Sequence, residues 1–441
     1  MERAVKSPLW KLNEGSRDLG KVINLDGHKL PPKLRALFKK IGQVADESGV
    51  NVYLVGGLPR DILLDQPNLD VDIVVEGDGV TFAKQFSRRE GGQVKPHKQF
   101  QTAIVVLPKG LKIDVATART ERYKQPGALP VVKVSGIRND LYRRDFTINS
   151  MAIQLNQKSY GKVVDYFGGN QDLKAGIIRV LHQLSFVDDP MRTIRAVRFE
   201  QRYGFTIEKK TERLLRETIR VGLLDRVSSE RIGKEITLIL KEKNPLPAVK
   251  RLSELGILGA IHPEFRVDQH TEVLFSGLER IFSSANLPRY FSRLVLYLLA
   301  LLYPLPPQAR KQVTQRLALS KKVRNCVTEL ESLEDKIRFL ENPDLRPSRV
   351  YFSLRGLPTE VLLFMATRAR VPSRWVFLYL EKLKTARTEI SGEELKKMGV
   401  PSGPIFRNIL DKVLAARLDG EVRSKQEELK LAEKIWRGEN R

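Results

Sequence analysis

The stretch Asn51–Glu76, NVYLVGGLPRDILLDQPNLDVDIVVE, decides both the fold class and the chemistry to expect of this chain. Asn51 to Val55 is a short apolar run broken by Gly56-Gly57, after which Leu58 to Leu64 reads as a brief helix with Pro59 near its first turn. A polar loop, Asp65 to Asn68, leads into a second apolar run in which Asp70 and Asp72 stand two apart. On a strand that spacing means one shared face.

Carboxylates on one face of a buried strand repel each other and lose hydration, so something positive is needed between them. A divalent metal fits: Mg²⁺ takes hard oxygen ligands, commonly one or two carboxylates together with substrate phosphates. The Gly56-Gly57 turn lets backbone N–H groups approach a phosphate, the following helix adds its positive end, and Arg60 is a candidate clamp for a triphosphate oxygen. Taken alone, an Asp-x-Asp is more often an exposed edge or loop feature, and a lone Gly-Gly says less still. The ordered set is far more restrictive than any piece.

Working outward, the 441 residues exceed one typical domain and predict three or four modules. Lys and Arg number 77 against 52 Asp and Glu, a formal net charge of +25, which favours a polyanionic partner, nucleic acid ahead of membrane. A charge-rich surface built for ion pairs explains the density of charge but not its imbalance. With one cysteine, Cys326, no internal disulfide exists, and a reducing, cytoplasmic setting is expected. Met1 to Leu12 is charged and lacks an apolar core, so no secretory signal is read there; whether residues precede Met1 in the natural protein is left open. The longest apolar run, Leu294 to Tyr303, ends at Pro304 and is too short to span a bilayer, so it reads as a core helix.

Strands are expected near Asn51–Val55, Val71–Val75, Thr102–Leu107, Lys112–Ala116 and Met151–Leu155, with a helix over Thr81–Arg88, giving a small α/β or α+β head. Asp114, in KIDVAT, is a third carboxylate for a metal site or a base for an attacking hydroxyl, and equally a solvated strand residue. Arg119 to Ile137 reads as a long mobile loop. In Asp140 to Asn149, Arg144 suits a phosphate and Asp145 or Asn149 a ribose hydroxyl, although a helix cap with surface charges has the same pattern. Asp165 to Gly169 looks like a turn closing the head. From about Asn170 helical periodicity takes over. Asp188-Asp189-Pro190 opens a helix on which Arg192, Arg195 and Arg198 form one stripe, read blandly as a solvated face.

On these segments the chain resembles the class II tRNA nucleotidyltransferases, the family of CCA-adding enzymes, A-adding enzymes and bacterial poly(A) polymerases. The matching pieces are Gly56-Gly57 to Asp72, Arg143-Arg144-Asp145, Asp165 to Gly169, Asp188 to Arg192 and Ser229-Glu230-Arg231, with a less specific tail piece from Ile390 to Gly420. The resemblance implies an α+β protein: a nucleotidyltransferase head with a small mixed sheet, followed by an elongated all-α neck, body and tail. The corresponding division is a basic lead-in (1–45), a catalytic head (46–170), a neck with the base-reading site (171–240), a body (241–345) and a tRNA-binding tail (346–441).

By position, Asp70 and Asp72 would be the metal-binding catalytic pair, holding two Mg²⁺ ions with Asp114 beside them. Gly56, Gly57 and Arg60 would bind the triphosphate, Arg144, Asp145 and Asn149 the phosphate and ribose region, and Asp189 with Arg192 the base, supported by Arg195 and Arg198. The family commonly has Glu-Asp where this chain has Asp188-Asp189, which leaves Asp188 without a role. Cytosine and adenine each present an exocyclic amine beside a ring-nitrogen acceptor, so a carboxylate and a guanidinium side by side accept either, while uracil and guanine reverse the pattern. The implied activity is template-independent addition of CCA to the tRNA acceptor end from CTP and ATP. The alternatives are addition of the terminal A alone, poly(A) synthesis, or a non-catalytic RNA-binding module. Pro126 to Tyr142 looks like the subgroup in which A-adding members occur. Lys and Arg across Arg310–Arg324 and Arg368–Lys384 are candidate RNA contacts, each singly more often a solvated residue.

Overall fold

The computed structural model describes residues 22–27, 30–108, 110–122, 131–284, 287–368 and 370–439. They divide into two compact units, the first comprising Met1–Ile232 with Glu254–Ala260 and the second Gly233–Ser253 with Ile261–Arg441.

The first unit is built on helix α1 (Pro32–Glu47), strand β1 (Asn51–Leu54), helix α2 (Gly57–Leu63), strand β2 (Val71–Glu76), helix α3 (Gly79–Glu90) and strands β3 (Gln93–His97), β4 (Thr102–Val106) and β5 (Lys112–Thr117). A separate antiparallel ribbon pairs β6 (Arg119–Arg122) with β7 (Val131–Val134). Helix α4 (Ile137–Tyr142) and strands β8 (Ala152–Gln154) and β9 (Val163–Val164) complete the head. The seven-stranded sheet runs β3-β4-β5-β2-β1-β8-β9, and β2 and β5 are its parallel neighbours.

Period-two alternation sorts the sheet's two faces. Val52, Leu54, Val71, Ile73, Val75, Ile113 and Val115 point into one core, with Leu34, Phe38 and Ile41 of α1 and Phe82 and Phe86 of α3. At about 1.5–3 kcal/mol for each fully buried large side chain, α1 is a major support of this face. The lead-in expected over 1–45 therefore does not stand apart: from Ile23 onward it belongs to the head core. Tyr53, Val55 and Val74 take the opposite face, packed against Ile137 and Leu141 of α4. Asp72 and Asp114 fall on this second face by the same alternation, and the parallel register sets them opposite each other.

Two expectations change. Strand β3 was not anticipated, because its side chains are largely exposed and Pro96 interrupts the pattern. The stretch expected as a loop from Arg119 to Ile137 is a β-ribbon leading into α4, except for 123–130, which lie outside the described residues.

Beyond the head come α5 (Gly169–Ala175), β10 (Ile177–Ile178), α6 (Ser185–Asp188), α7 (Arg192–Tyr203), β11 (Thr206–Ile207), α8 (Lys209–Arg220) and α9 (Ser229–Leu240). The second unit is helical. Its apolar run forms the buried helix Arg293–Leu302, and its last helices close over Ile390, Leu395, Ile409, Val413 and Ala432. Among the described residues no helix is long and apolar enough to cross a membrane.

Candidate active site

The phosphate-binding candidate begins at the turn after β1. Gly56 has φ 74° and ψ −132°, a backbone conformation that L side chains resist, and a Cβ there would sit 2.9 Å from Asp72 Oδ2. Glycine is therefore required twice at this position, for the turn and for the approach of Asp72. Helix α2 has only seven residues, so any anion affinity here rests on the turn and its neighbours rather than on a long helix dipole.

Asp72 sits on β2, while Asp70 stands one residue before the strand begins, exposed at its mouth. The backbone N–H of Asp70 donates to Asn68 Oδ1 at 2.8 Å. Burial pushes the Asp72 carboxyl above its usual range; repulsion from Asp114 and Asp70 adds to this, and Arg144 opposes it. A carboxylate raised by burial and by two neighbouring carboxylates belongs to a hard-oxygen donor set suited to a divalent cation. Among the described residues no three His, Cys, Asp or Glu side chains gather closely enough to hold an ion unaided. A Mg²⁺ ion here would complete its shell with phosphate oxygens and water, its habit in sites of this kind.

Arg144 follows α4, whose packing against the sheet carries it over Asp72. Its Nη2 donates to the buried Asp140 at 2.8 Å, while its Nε is buried and makes no hydrogen bond. A guanidinium beside the Asp72 carboxylate has donors beyond the one spent on Asp140 to offer an incoming phosphate. Arg143 points elsewhere, to Asp140 and Glu121, and so braces the β6–β7 ribbon.

Arg60 departs from expectation. It is 5% exposed, its Nε and Nη2 donate to Asp61 at 2.8 and 2.9 Å, and its Nη1 donates to Asn149 Oδ1 at 2.5 Å. The guanidinium lies 4.7 Å from the Tyr203 ring centroid and 5.5 Å from that of Phe199. With the guanidinium spent on these partners, this is a buried brace rather than an open phosphate clamp.

Asp145 and Asn149 likewise face inward. Asp145 Oδ2 accepts from Arg195 Nε and Nη2 at 2.9 and 2.6 Å, and Oδ1 accepts from Asn149 Nδ2 at 3.0 Å. Burial alone would raise this carboxyl, but the Arg195 charge and the hydrogen bonds from Asn149 and Arg195 hold it at about 2. Neither residue presents a free group to a ribose.

The base-reading candidates lie on and between the end of α6 and the first turns of α7. Asp188 ends α6 and Asp189 follows it, so the acidic pair closes one short helix instead of opening the next. Asp189 Oδ1 and Oδ2 accept from Arg231 Nη2 at 2.8 and 2.9 Å. Arg192, 5% exposed, donates through Nη1 to Ser185 Oγ and through Nη2 to the Arg143 carbonyl, both at 2.6 Å. Arg198 is buried over Phe199 as well, so the basic stripe of α7 is not a solvated face. Asp188 stands 3.7 Å from His182 Nε2; burial raises its carboxyl, Arg192 opposes this and Asp189 adds to it. The His182 ring lies 5.0 Å from Tyr142, which in turn lies 5.6 Å from Phe167, and burial with the Arg192 charge pushes the imidazole down to about 4.

Asp70, Asp72, Asp114, Gly56 and Arg144 thus form one surface of the head. Arg60, Asn149, Asp145 and Arg195 form a buried string behind it, and Asp188, Asp189 and Arg192 a third group joined to the head through the Arg143 carbonyl. Sequence reasoning missed Asn68, whose Asn-x-Asp spacing is a turn signal, and His182 and Tyr142, whose contact joins residues far apart in the chain.

Comparison with known proteins identifies the family. Residues 52–179 match the Poly A polymerase head domain, and residues 204–268 match the family described as the probable RNA and SrmB- binding site of polymerase A. The chain is 41% identical over 425 residues to the A-adding tRNA nucleotidyltransferase of Geobacter sulfurreducens, covering 94% of this chain but 48% of that protein. It is 33% identical over 421 residues to the A-adding tRNA nucleotidyltransferase of Halalkalibacterium halodurans, covering 94% of this chain and 96% of that one. It therefore spans about half the length of the first relative and nearly all of the second. Among solved structures, the Thermotoga maritima CCA-adding enzyme complexed with tRNA is 37% identical, with a TM-score of 0.76 over 92% of this chain and 96% of that one. The chain belongs to the class II tRNA nucleotidyltransferase and poly(A) polymerase family.

Proposed function

We propose that this chain transfers AMP from ATP to the 3′-hydroxyl of a tRNA ending in CC, choosing the nucleotide with protein side chains instead of a nucleic-acid template. The observation that carries the reading is the pairing of Asp72 with Asp114 on one sheet face, beside the Gly56 turn and Arg144, with Asp70 at the mouth of the same strand. In the reaction the 3′-oxygen forms a bond to the α-phosphorus, the bond from that phosphorus to the bridging oxygen breaks, and pyrophosphate leaves. Asp70 and Asp72 would hold two Mg²⁺ ions, which when bound supply charge neutralisation at the triphosphate and a more acidic attacking hydroxyl.

The chain's own groups do the rest. Asp114, exposed and in register with Asp72, would accept the hydroxyl proton. Arg144 steadies the phosphates through donors that Asp140 does not use. Asp189 keeps acceptor capacity on Oδ2 beyond its bonds from Arg231 and the Met191 N–H, for the exocyclic amine of adenine, and Arg192, held against Ser185 and the Arg143 carbonyl, would have to turn a remaining N–H to the ring nitrogen. In the second unit, a cleft of about 740 Å³ lined by Tyr351, Arg355, Tyr379, Arg387 and Phe406 combines cations with aromatic faces, a composition that suits RNA.

Addition of both C residues and the A is the second reading, favoured by the CCA-adding enzyme whose apo structure is 39% identical with a TM-score of 0.81. Incorporation of each labelled nucleoside triphosphate, with Mg²⁺, into tRNA transcripts ending at the discriminator base, at C or at CC separates the two. A onto CC alone supports the first, CCA onto the shortest transcript supports the second, and long A tracts on unrelated RNA indicate a poly(A) polymerase. No incorporation with tRNA binding intact overturns both readings.

A further inference from the structure

One run of hydrogen bonds crosses the first unit from the mouth of β2 to the base-reading helix. It starts at the Asp70 N–H, which donates to Asn68 Oδ1 at 2.8 Å, and continues as Asn68 Nδ2 donates to Asp61 Oδ2 at 2.7 Å. Asp61 accepts from Arg60, Arg60 donates to Asn149 Oδ1, and Asn149 donates to Asp145, which accepts from Arg195 on α7. The middle of the run is buried and clamped, with Arg60 lying over the Tyr203 and Phe199 rings of α7 and Tyr203 Oη donating to Asp61 at 3.4 Å. Its outer end is sparse. Among the described residues the Asp70 carboxylate makes no hydrogen bond, and its backbone is held by Asn68 at the N–H and by the paired strand that begins at Val71.

The geometry points to Asn68 as a positioning residue that ties Asp70 to α7, so that the placement of the carboxylate depends on the helix carrying Arg192 and Arg195. The inference rests on the assignment of Asp70 and Arg192 made above. Asn is suited to the position because its carbonyl oxygen closes the turn onto the Asp70 N–H while its amide donates to Asp61. Aspartate would keep the first bond and set a carboxylate against Asp61 in place of the second. Alanine would remove both. A contiguous string amounts to coupling only when its two ends respond together, and that response can be measured.

The experiment is steady-state AMP incorporation by the full chain, with ATP and Mg²⁺ varied independently, for wild type, Asn68→Ala, Asn68→Asp, Asn149→Ala and the double variant Asn68→Ala/Asn149→Ala. Circular dichroism and tRNA binding verify folding. Displacing a reacting group by about 1 Å costs on the order of 100-fold, so Asn68→Ala and Asn68→Asp are each expected to lower kcat about 10- to 100-fold. The Mg²⁺ requirement should rise and KM for ATP change less than about threefold. A residue that only stabilised the loop would not move the Mg²⁺ requirement. Because the string acts in series, the double variant should be no slower than the slower single variant. Multiplying effects in the double variant, or wild-type kcat and Mg²⁺ requirement in Asn68→Asp, overturn the coupling. An Asp70→Asn control separates the two levels: if it keeps wild-type activity the assignment of Asp70 has failed, whereas if it is inactive and the Asn68 variants are normal only the coupling has failed.

Discussion

Replacing Gly56 with alanine tests the carboxylate site with one methyl group. The backbone there has φ 74° and ψ −132°, outside the ordinary left-handed well, and holding a non-glycine residue in such a region costs about 1–3 kcal/mol. For a unit of this size about 1 kcal/mol moves Tm by roughly 2–4 °C, so a central cost of about 2 kcal/mol predicts a fall of about 4–8 °C. The added Cβ would lie 2.9 Å from Asp72 Oδ2, closer than real Cβ contacts come, so the carboxylate, the side-chain end of that contact, has to shift. A shift of that kind is expected to reduce AMP incorporation by about 100-fold at 25 °C, where the variant remains folded. The assay is single-turnover incorporation into tRNA ending in CC, beside a thermal melt followed by circular dichroism. Near-normal incorporation in a folded Gly56→Ala protein would refute the argument that Asp72 must sit against the turn.

Other consequences follow from the buried charges. Asp145 titrates at about 2 when folded against 3.8 for a free carboxyl, so it contributes about 2 kcal/mol that is present above pH 3.8 and lost as pH falls through 2. Arg195→Ala should remove most of that contribution and lower Tm, measured by melts from pH 2 to 6; an unchanged acid limb would show that the pair does not hold Asp145 down. His182 is pushed down to about 4 from 6.5, so the stability of its neutral form is complete above pH 6.5 and lost as pH falls toward 4. Urea midpoints of His182→Gln should therefore be less pH-dependent over that interval than those of wild type, and parallel curves would contradict this. Arg310 was a candidate RNA contact, yet it is buried and donates to the carbonyls of Leu302, Tyr303 and Leu305 at the end of the apolar helix. Arg310→Met should cost about 1–3 kcal/mol in a melt while leaving tRNA affinity unchanged, and weaker binding by a folded variant would restore the RNA role.

What the sequence made legible is the order of local elements. The apolar run, the Gly-Gly break and the alternation around Asp72 are properties of neighbouring residues, and they survive folding as β1, the Gly56 turn and β2. What it concealed are choices of partner made across the chain. Arg60 reads as a free cation until Asn149, 89 positions away, and the aromatic rings of α7 enclose it. Asp189 reads as an open acceptor until Arg231 reaches it from 42 positions on. The β6–β7 ribbon was hidden differently: glycine and prolines beside it outweigh short strands whose side chains are partly exposed.

The head sheet also sets a timetable for the growing chain. Strand β1 lies between β2 and β8, and its Val52 N–H donates to Asn156 Oδ1, 104 positions later. Until that later segment has left the ribosome, β1 has an unpaired edge and the sheet lacks its last two strands. The carboxylate-bearing strands β2 and β5, by contrast, can pair earlier, since both precede α4. Nascent chains stalled before β8 should thus be the aggregation-prone species, because an exposed strand edge is a template for other chains. Slowing synthesis once Val164 has emerged, rather than before it, is the point at which a pause gives the head time to close.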